Sequence, residues 1–270
     1  FNTVYQLFRR VRENDPALKQ AETMLLMPDL LGYFFTGERK SEYTNVTTTN
    51  LYSATAQDWD FELIRKLGIP KGIFSQIDRA GTLRGALLPN VAAELGVSQV
   101  PFAAVGTHDT ASAVAAIPGE GSFAFCSSGT WSLFGIETSE PLLGDAIYQA
   151  NFSNEGTVQG GFRPLKNIMG QWIMQECRRE WTRQGACYSW KEIDSMTAKA
   201  KPFAAIIDPD DAPFFSAGDM CGKIARYCEK TGQTPPSTPG EIARCVYESL
   251  ALKYRWALEW LEKMKGVRID

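Results

Sequence analysis

The chain has 270 residues, of which 44% are hydrophobic and 22% are charged. This length and composition fit one large or two moderate globular domains and exclude an intrinsically disordered protein. The formal net charge of −3 argues against nucleic acid as the main partner, because nucleic acids are bound by basic surfaces. No apolar run approaches the roughly 18 residues that a membrane span requires, so no membrane partner is expected.

The N-terminal segment has a mainly helical pattern. Residues 18–26 are good helix formers, and the helix predicted after them ends at Gly37. Residues 43–52 are rich in threonine and predict an extended segment. Residues 59–67 predict an amphipathic helix with Asp58 as its N-cap.

The most informative feature is a predicted strand followed directly by a predicted helix. The apolar run 100–105 predicts a buried strand, and the small residues 110–117 predict a helix. Between them lie His108, the only histidine of the chain, and Asp109. In an open α/β sheet, ligands bind at the edge where the strands end and the following helices begin. The sequence therefore places a carboxylate where a ligand site is expected.

Asp109 has two interpretations from its position alone. A carboxylate at a sheet edge can accept a proton from a substrate hydroxyl. Aspartate is also a preferred N-cap, and a predicted helix begins here. His108 also has two interpretations, because a lone histidine is more often a hydrogen-bonded structural residue than a catalyst. Adjacent extended residues point in different directions, so His108 and Asp109 do not form an aligned hydrolase dyad.

A hairpin with a hydroxyl-rich tip is predicted in the second half. The apolar runs 122–126 and 131–136 flank the tip, which contains Gly129 and Thr130. Backbone N–H groups in such a turn can bind an anion, and the alternative is an ordinary hairpin turn. Further helices are predicted over residues 168–183, 220–230 and 242–264. Ser189 and Glu192 predict a capping box, and strands are predicted over residues 203–207 and 267–270.

The cysteines do not indicate a metal site. None of the six forms a Cys-x-x-Cys pair, and the single histidine is distant from all of them in sequence. We interpret them as free thiols in a reducing compartment, which favours the cytoplasm. The acidic run at Asp208, Asp210 and Asp211 lacks the glycine and glutamate of a calcium loop and predicts a solvated turn.

Taken together, these segments resemble the FGGY family of carbohydrate kinases, over essentially the whole chain. The resemblance lies in residues 27–37 with 44–50, residues 106–114 (GTHDTASAV), residues 127–133 (SSGTWSL), residues 165–170 (LKNIMG) with the helix behind them, and residues 241–252. The His-Asp-Thr and Ser-Ser-Gly-Thr-Trp blocks, in this order, are typical of the branch that acts on L-rhamnulose.

The resemblance implies an α/β protein of the actin-like ATPase class. Two ribonuclease H-like domains would close over a cleft for sugar and ATP. Because Pro118 and Gly119 interrupt the pattern, residues 1–118 would belong to the sugar-binding domain and residues 119–270 to the nucleotide-side domain.

The resemblance also implies an enzyme that transfers the γ-phosphoryl group of ATP, with Mg²⁺, to the 1-hydroxyl of L-rhamnulose. By this likeness Asp109 is the general base for the sugar hydroxyl. His108 and Thr110 would flank the sugar, and Asn167 would contact it. Phosphoryl transfer requires an acceptor for the proton of the attacking hydroxyl and donors around the transferred group, which agrees with these roles.

On the nucleotide side, the resemblance implies that Gly129 and Thr130 receive the ATP phosphates and that Gln175 lies close to them. The glycine-bearing phosphate loop that opens family members and their glycine-rich adenosine motif do not occur in this sequence. We therefore expect an internal fragment, truncated at both ends, that keeps sugar-side residues without a competent ATP site. The alternatives are a non-catalytic sugar-binding fragment, or a kinase of the same family for another ketose such as fuculose or xylulose.

Overall fold

A computed structural model describes residues 2–119 and 121–269 of the chain. The helices are α1 (Thr3–Arg12), α2 (Pro16–Gln20), α3 (Met27–Thr36), α4 (Tyr43–Val46), α5 (Phe61–Lys66), α6 (Pro89–Leu95), α7 (Asp109–Ala115), α8 (Asp145–Gln149), α9 (Trp172–Arg183), α10 (Trp190–Lys199), α11 (Met220–Lys230) and α12 (Pro239–Lys265). The strands are β1 (Lys40–Glu42), β2 (Tyr52–Ser53), β3 (Asp58–Trp59), β4 (Gln76–Asp78), β5 (Leu83–Ala86), β6 (Pro101–Ala103), β7 (Ala124–Ser128), β8 (Trp131–Ile136), β9 (Ser153–Gly156) and β10 (Phe162–Met169).

The chain forms two compact units. The first comprises Phe1–Gly121, Glu137–Leu143 and Ser153–Pro164, and the second comprises Ser122–Ile136, Gly144–Phe152 and Leu165–Asp270. The units interleave in sequence, because two later segments return to the first unit. The division of the family domains at residues 118 and 119 stays a prediction. Within the described residues, no helix is long and apolar enough to cross a membrane.

The core of the first unit is built from the N-terminal helices and the segments around α5. Its buried members are Val4, Leu7, Leu18, Val46, Leu51, Trp59, Ile64, Ile69 and Ile73. The Trp59 indole contributes both apolar area and a polar tether, since its Nε1 donates to the carbonyl of Ser75 at 2.8 Å. Burial of these side chains is the main stabilising contribution to this unit.

The strand predicted over residues 100–105 is shorter and less buried than expected. β6 pairs antiparallel with β5, with Leu83 opposite Ala103, in a sheet of two strands. Because no further described strand joins this sheet, its side chains are poorly covered, and Val105 is 65% exposed. The interpretation of this run as a buried sheet strand is therefore wrong.

The threonine-rich segment 43–52 is also different from the prediction. It forms α4 followed by a short 3-10 helix over Thr47–Thr49. The Glu42 carboxylate caps α4 by accepting from the backbone N–H groups of Thr44 and Asn45. The hydroxyls of Thr47, Thr48 and Thr49 donate to the carbonyls three residues earlier. These local bonds favour a helical turn over an extended strand.

Two N-terminal boundaries differ for similar local reasons. Within the predicted segment 18–26 only residues 18–20 are helical, as the end of α2, because Met24 instead donates its N–H to the carbonyl of Ile73 at 2.7 Å. The N-cap of α5 is Asp60, which accepts from Leu63 N. Asp58 belongs to β3 and is not the cap. The predicted end of α3 at Gly37 is confirmed by its left-handed backbone, with φ of 75°.

The second unit places a sheet next to long helices. β7 and β8 form the predicted antiparallel hairpin, and β10 pairs antiparallel with β8 from Leu165 opposite Gly135 to Met169 opposite Trp131. The predicted capping box between Ser189 and Glu192 is confirmed at the start of α10. The predicted helix over residues 242–264 is confirmed as α12, which has its own capping box.

Three predictions of secondary structure in this half of the chain are wrong. Residues 168 and 169 end β10, so the helix predicted from residue 168 begins at Trp172 instead. Residues 203–207 form no strand, because Ile206 and Ile207 donate their N–H groups to the side chains of Gln233 and Ser249. Of the strand predicted over residues 267–270, residues 267–269 are not a strand, and residue 270 lies outside the described residues.

Candidate active site

The loop before α7 is anchored by a buried carboxylate. Both the backbone N–H and the hydroxyl of Thr107 donate to Glu42 Oε2, at 3.0 and 2.9 Å. The N–H of His108 donates to Thr44 Oγ1 at 3.1 Å, and that hydroxyl donates to Glu42 as well. Glu42 and Thr44 are both fully buried. The position of the loop is therefore fixed by charge-assisted hydrogen bonds from the core of the first unit.

Asp109 is the first residue of α7, and its side chain is 98% exposed. One carboxylate oxygen accepts from the backbone N–H of Thr110 at 2.7 Å and lies 3.4 Å from the Thr110 hydroxyl. The N-cap residue of α7 is His108, so the interpretation of Asp109 as the N-cap is wrong. The carboxylate is held by its neighbour and remains open to a reactant.

The His108 ring lies beside a buried arginine of the same unit. Arg163 Nη2 lies 2.9 Å from His108 Nδ1 and donates to Glu155 Oε2 at 3.1 Å. Arg163 is 0% exposed, and its Nε donates to the carbonyl of Gly156 at 3.0 Å. Sequence reasoning missed Arg163 and Glu155. Arg163 could have been noticed because it is a charged residue within the apolar strand β10, and a buried charge requires a hydrogen-bonded or oppositely charged partner.

The electrostatic surroundings keep this histidine neutral. Burial, and after it the charge of Arg163, lower the pKa of His108 below the usual histidine value of 6.5, while Asp109 and Glu42 oppose this shift. Burial raises the pKa of Glu155, and Arg163 partly offsets that effect. The ring is therefore uncharged at neutral pH and can act as a hydrogen-bond donor or acceptor.

The hairpin tip in the second unit is bonded to the start of α9. The carbonyls of Gly129 and Thr130 accept from the backbone N–H groups of residues 170–172 at 2.9 to 3.2 Å. The N–H of Gly129 donates to the carbonyl of Trp131 at 2.8 Å, as in a hairpin turn. This favours the turn interpretation over an open anion nest. Gly170 permits the approach, since a Cβ there would lie 2.6 Å from the hydroxyl of Ser132.

The structure brings two of the predicted nucleotide residues together. The Thr130 hydroxyl lies 3.5 Å from Gln175 Oε1, and both residues belong to the second unit. Asn167 also belongs to this unit, where it is exposed on β10 and pairs with Leu133 of β8. In the first unit, His108, Asp109 and Thr110 are consecutive at the start of α7.

The described residues do not fit a metal ion held by side chains alone. Across residues 2–119 and 121–269, no group of three or more His, Cys, Asp or Glu side chains is placed to hold one. Asp208 and Asp210 instead form ion pairs with Lys253 at 2.8 and 3.2 Å. The acidic run at 208–211 thus includes two carboxylates paired with a lysine.

Sequence comparison identifies the family. The N-terminal domain of the FGGY family of carbohydrate kinases matches residues 1–116, and the C-terminal domain of the same family matches residues 124–270. The chain belongs to the FGGY family of carbohydrate kinases. The predicted family resemblance is thereby confirmed over nearly the whole chain.

Individual FGGY relatives are longer than this chain. The rhamnulokinase of Bacteroides thetaiotaomicron is 40% identical over 271 residues, covering 100% of this chain and 55% of the relative. The rhamnulokinase of Enterococcus faecalis is 40% identical over 268 residues, covering 99% of this chain and 53% of the relative. The chain thus spans about half the length of the curated relatives that it matches.

Solved structures show the same fold at low sequence identity. The xylulose kinase from Rhodospirillum rubrum superposes with a TM-score of 0.77 at 15% identity, covering 99% of this chain and 53% of that structure. Plasmodium falciparum glycerol kinase with ADP gives a TM-score of 0.70 at 14% identity, covering 98% and 53%. The expected actin-like ATPase fold of this FGGY chain is confirmed.

Proposed function

We propose that this chain is part of a rhamnulokinase, an enzyme that transfers the γ-phosphoryl group of ATP to the 1-hydroxyl of L-rhamnulose in the cytoplasm. Membership of the FGGY family and the 40% identity to two rhamnulokinases support this proposal. The observation that supports it most directly is the exposed Asp109 carboxylate, located at the start of α7 within the His-Asp-Thr block.

Asp109 would act as the general base. An exposed carboxylate within hydrogen-bond reach of the sugar hydroxyl can accept its proton as the oxygen attacks phosphorus. The contact to Thr110 holds the carboxylate at the helix start while leaving its second oxygen for the substrate. We propose that His108, Thr110 and Asn167 contact the sugar, as the family resemblance implies.

Thr130 and Gln175 would contact ATP. The 3.5 Å contact between their side chains supports a shared role. Because the Gly129 N–H already donates within the turn, the proposed phosphate contacts of the hairpin tip rest mainly on the Thr130 hydroxyl. Mg²⁺ is the metal expected with ATP in this family, and it neutralises phosphate charge when bound.

We propose residues 1–118 as the sugar-side part and residues 119–270 as the nucleotide-side part.

A substrate comparison tests this proposal. ADP release by the intact protein is measured with ATP, Mg²⁺ and equal concentrations of L-rhamnulose, L-fuculose or D-xylulose. The proposal expects the highest kcat/KM with L-rhamnulose. Faster turnover of another ketose would assign the protein to a different branch of the family. ADP release that does not depend on any sugar would contradict a sugar kinase.

A further inference from the structure

The contact between His108 and Arg163 restricts the state of the imidazole ring. A guanidinium group has only N–H donors and no acceptor. At 2.9 Å from Arg163 Nη2, the Nδ1 atom of His108 must therefore be the acceptor. A proton on Nδ1 would point at the positively charged donor. The neutral ring then has its single proton on Nε2.

We propose that Arg163 is a positioning residue that holds His108 as the neutral Nε2–H tautomer, so that the ring presents a hydrogen-bond donor toward Asp109. Arg163 is itself fixed, because it is fully buried and bonds to the Gly156 carbonyl and to Glu155.

Charged groups face the ring from each side. Arg163 of β10 opposes a second proton on the ring, whereas Asp109 of α7 and Glu42 of β1 favour it. Glu155 of β9 lies 3.4 Å from Nδ1 but already accepts from Arg163 at 3.1 Å. The competing arrangement has a proton on Nδ1 shared with Glu155. In that arrangement the Nδ1 proton would also face the Arg163 guanidinium, and the positive charge of the guanidinium disfavours the arrangement.

The tautomer has a consequence for the sugar site, and this step rests on the proposed function. His108 Nε2 lies 3.8 Å from Asp109 Oδ1, which is too long for a hydrogen bond. A sugar hydroxyl next to both side chains could accept from Nε2–H while it donates its own proton to the second carboxylate oxygen of Asp109. His108 would thus orient the oxygen whose proton Asp109 removes, without exchanging a proton itself.

The single histidine makes a direct test practical. The chain is produced without a histidine tag and with nitrogen-15 in its histidine, and the protonation of each ring nitrogen is observed by NMR at neutral pH. We expect a proton on Nε2 and a bare Nδ1. A proton on Nδ1, or on both nitrogens, overturns the proposal. The result does not depend on sugar phosphorylation, so it fails or succeeds separately from the proposed function.

Two variants then assign the effect to Arg163. Arg163→Gln is expected to raise the midpoint of the ring titration by about 1 pH unit, because a neighbouring positive charge is removed. Arg9→Gln, which removes an exposed arginine of α1, is expected to leave the midpoint unchanged. Glu155→Gln keeps Arg163 and should keep the Nε2–H tautomer. The assignment to Arg163 is contradicted by a proton on Nδ1 in Glu155→Gln, or by an unchanged titration midpoint in folded Arg163→Gln. The tautomer itself is decided by the measurement on the wild-type chain.

Discussion

One oxygen of the Glu42 side chain accepts both the backbone N–H and the hydroxyl of Thr107, which lies 65 residues later in the chain. The same carboxylate caps α4. Behind it, the Glu42 backbone N–H donates to Asp29, whose carboxylate is paired with Arg84 at 2.9 Å. The loop before α7 is thus attached to a buried polar network rather than to apolar packing alone.

The first prediction concerns this anchor. Glu42→Gln should lower the free energy of unfolding by about 2–3 kcal/mol, because an amide NH₂ would face donors that now bond to a buried carboxylate. Urea unfolding followed by circular dichroism measures the change. The control is Glu62→Gln on the exposed face of α5, which should leave the free energy of unfolding nearly unchanged. Equal losses in the two variants would show that Glu42 is not an anchor.

The second prediction concerns the hairpin tip. Gly170→Ala should destabilise the protein by about 1–3 kcal/mol, because the added Cβ would lie 2.8 Å from the backbone carbonyl oxygen of Gly129. Gly72→Ala is the control, since a Cβ at Gly72 meets no atom within 4 Å. Thermal unfolding of both variants compares them. Similar melting temperatures would mean that the tip and α9 are not closely packed.

The third prediction is a pH dependence. The pKa of His108 is lowered by burial and by Arg163, so in acid the unfolded chain binds a proton there before the folded chain does. The free energy of unfolding of the wild-type chain, relative to His108→Asn, should therefore fall as the pH falls below about 6.5. The slope is at most about 1.4 kcal/mol per pH unit. A difference that stays constant or grows in acid would mean that the pKa is not lowered.

The fourth prediction concerns the nucleotide side. Gln175→Ala should raise the KM for ATP by about tenfold, the equivalent of one hydrogen bond of about 1.4 kcal/mol, with little effect on the KM for the sugar. Steady-state ADP release in the intact protein measures both constants. Gln184→Ala, at the exposed end of α9, is the control and should leave both unchanged. A change confined to the sugar KM would place Gln175 on the other side of the reaction.

Local signals in the sequence were sufficient for much of the fold. The capping box at Ser189, the helix breaker at Gly37 and the hairpin around Gly129 act within a few residues, and the structure has all three. Residues 203–207 have the composition of a strand, but the N–H groups of Ile206 and Ile207 donate to the side chains of Gln233, in the loop after α11, and Ser249 of α12. A pattern within the segment cannot report such partners.

The candidate site could be predicted only in part. The block 106–114 marks Asp109 as a candidate because residue type and order are both visible in sequence, and its role stays a prediction. The contact between His108 and Arg163 joins residues 55 positions apart through a buried guanidinium. The sequence can mark Arg163 as a charged residue among apolar ones, but it cannot report the contact with His108, so the tautomer of His108 could be inferred only from the structure.

The central claim is that Asp109 is the general base. The turnover number of Asp109→Asn in the intact protein, measured by ADP release with L-rhamnulose, tests it most directly. The matched control is Asp145→Asn, because Asp145 is also an exposed aspartate at the first position of a helix, α8. We predict that kcat falls by ~10²–10⁴ in Asp109→Asn and is unchanged in Asp145→Asn. Normal turnover in a folded Asp109→Asn protein would contradict the account.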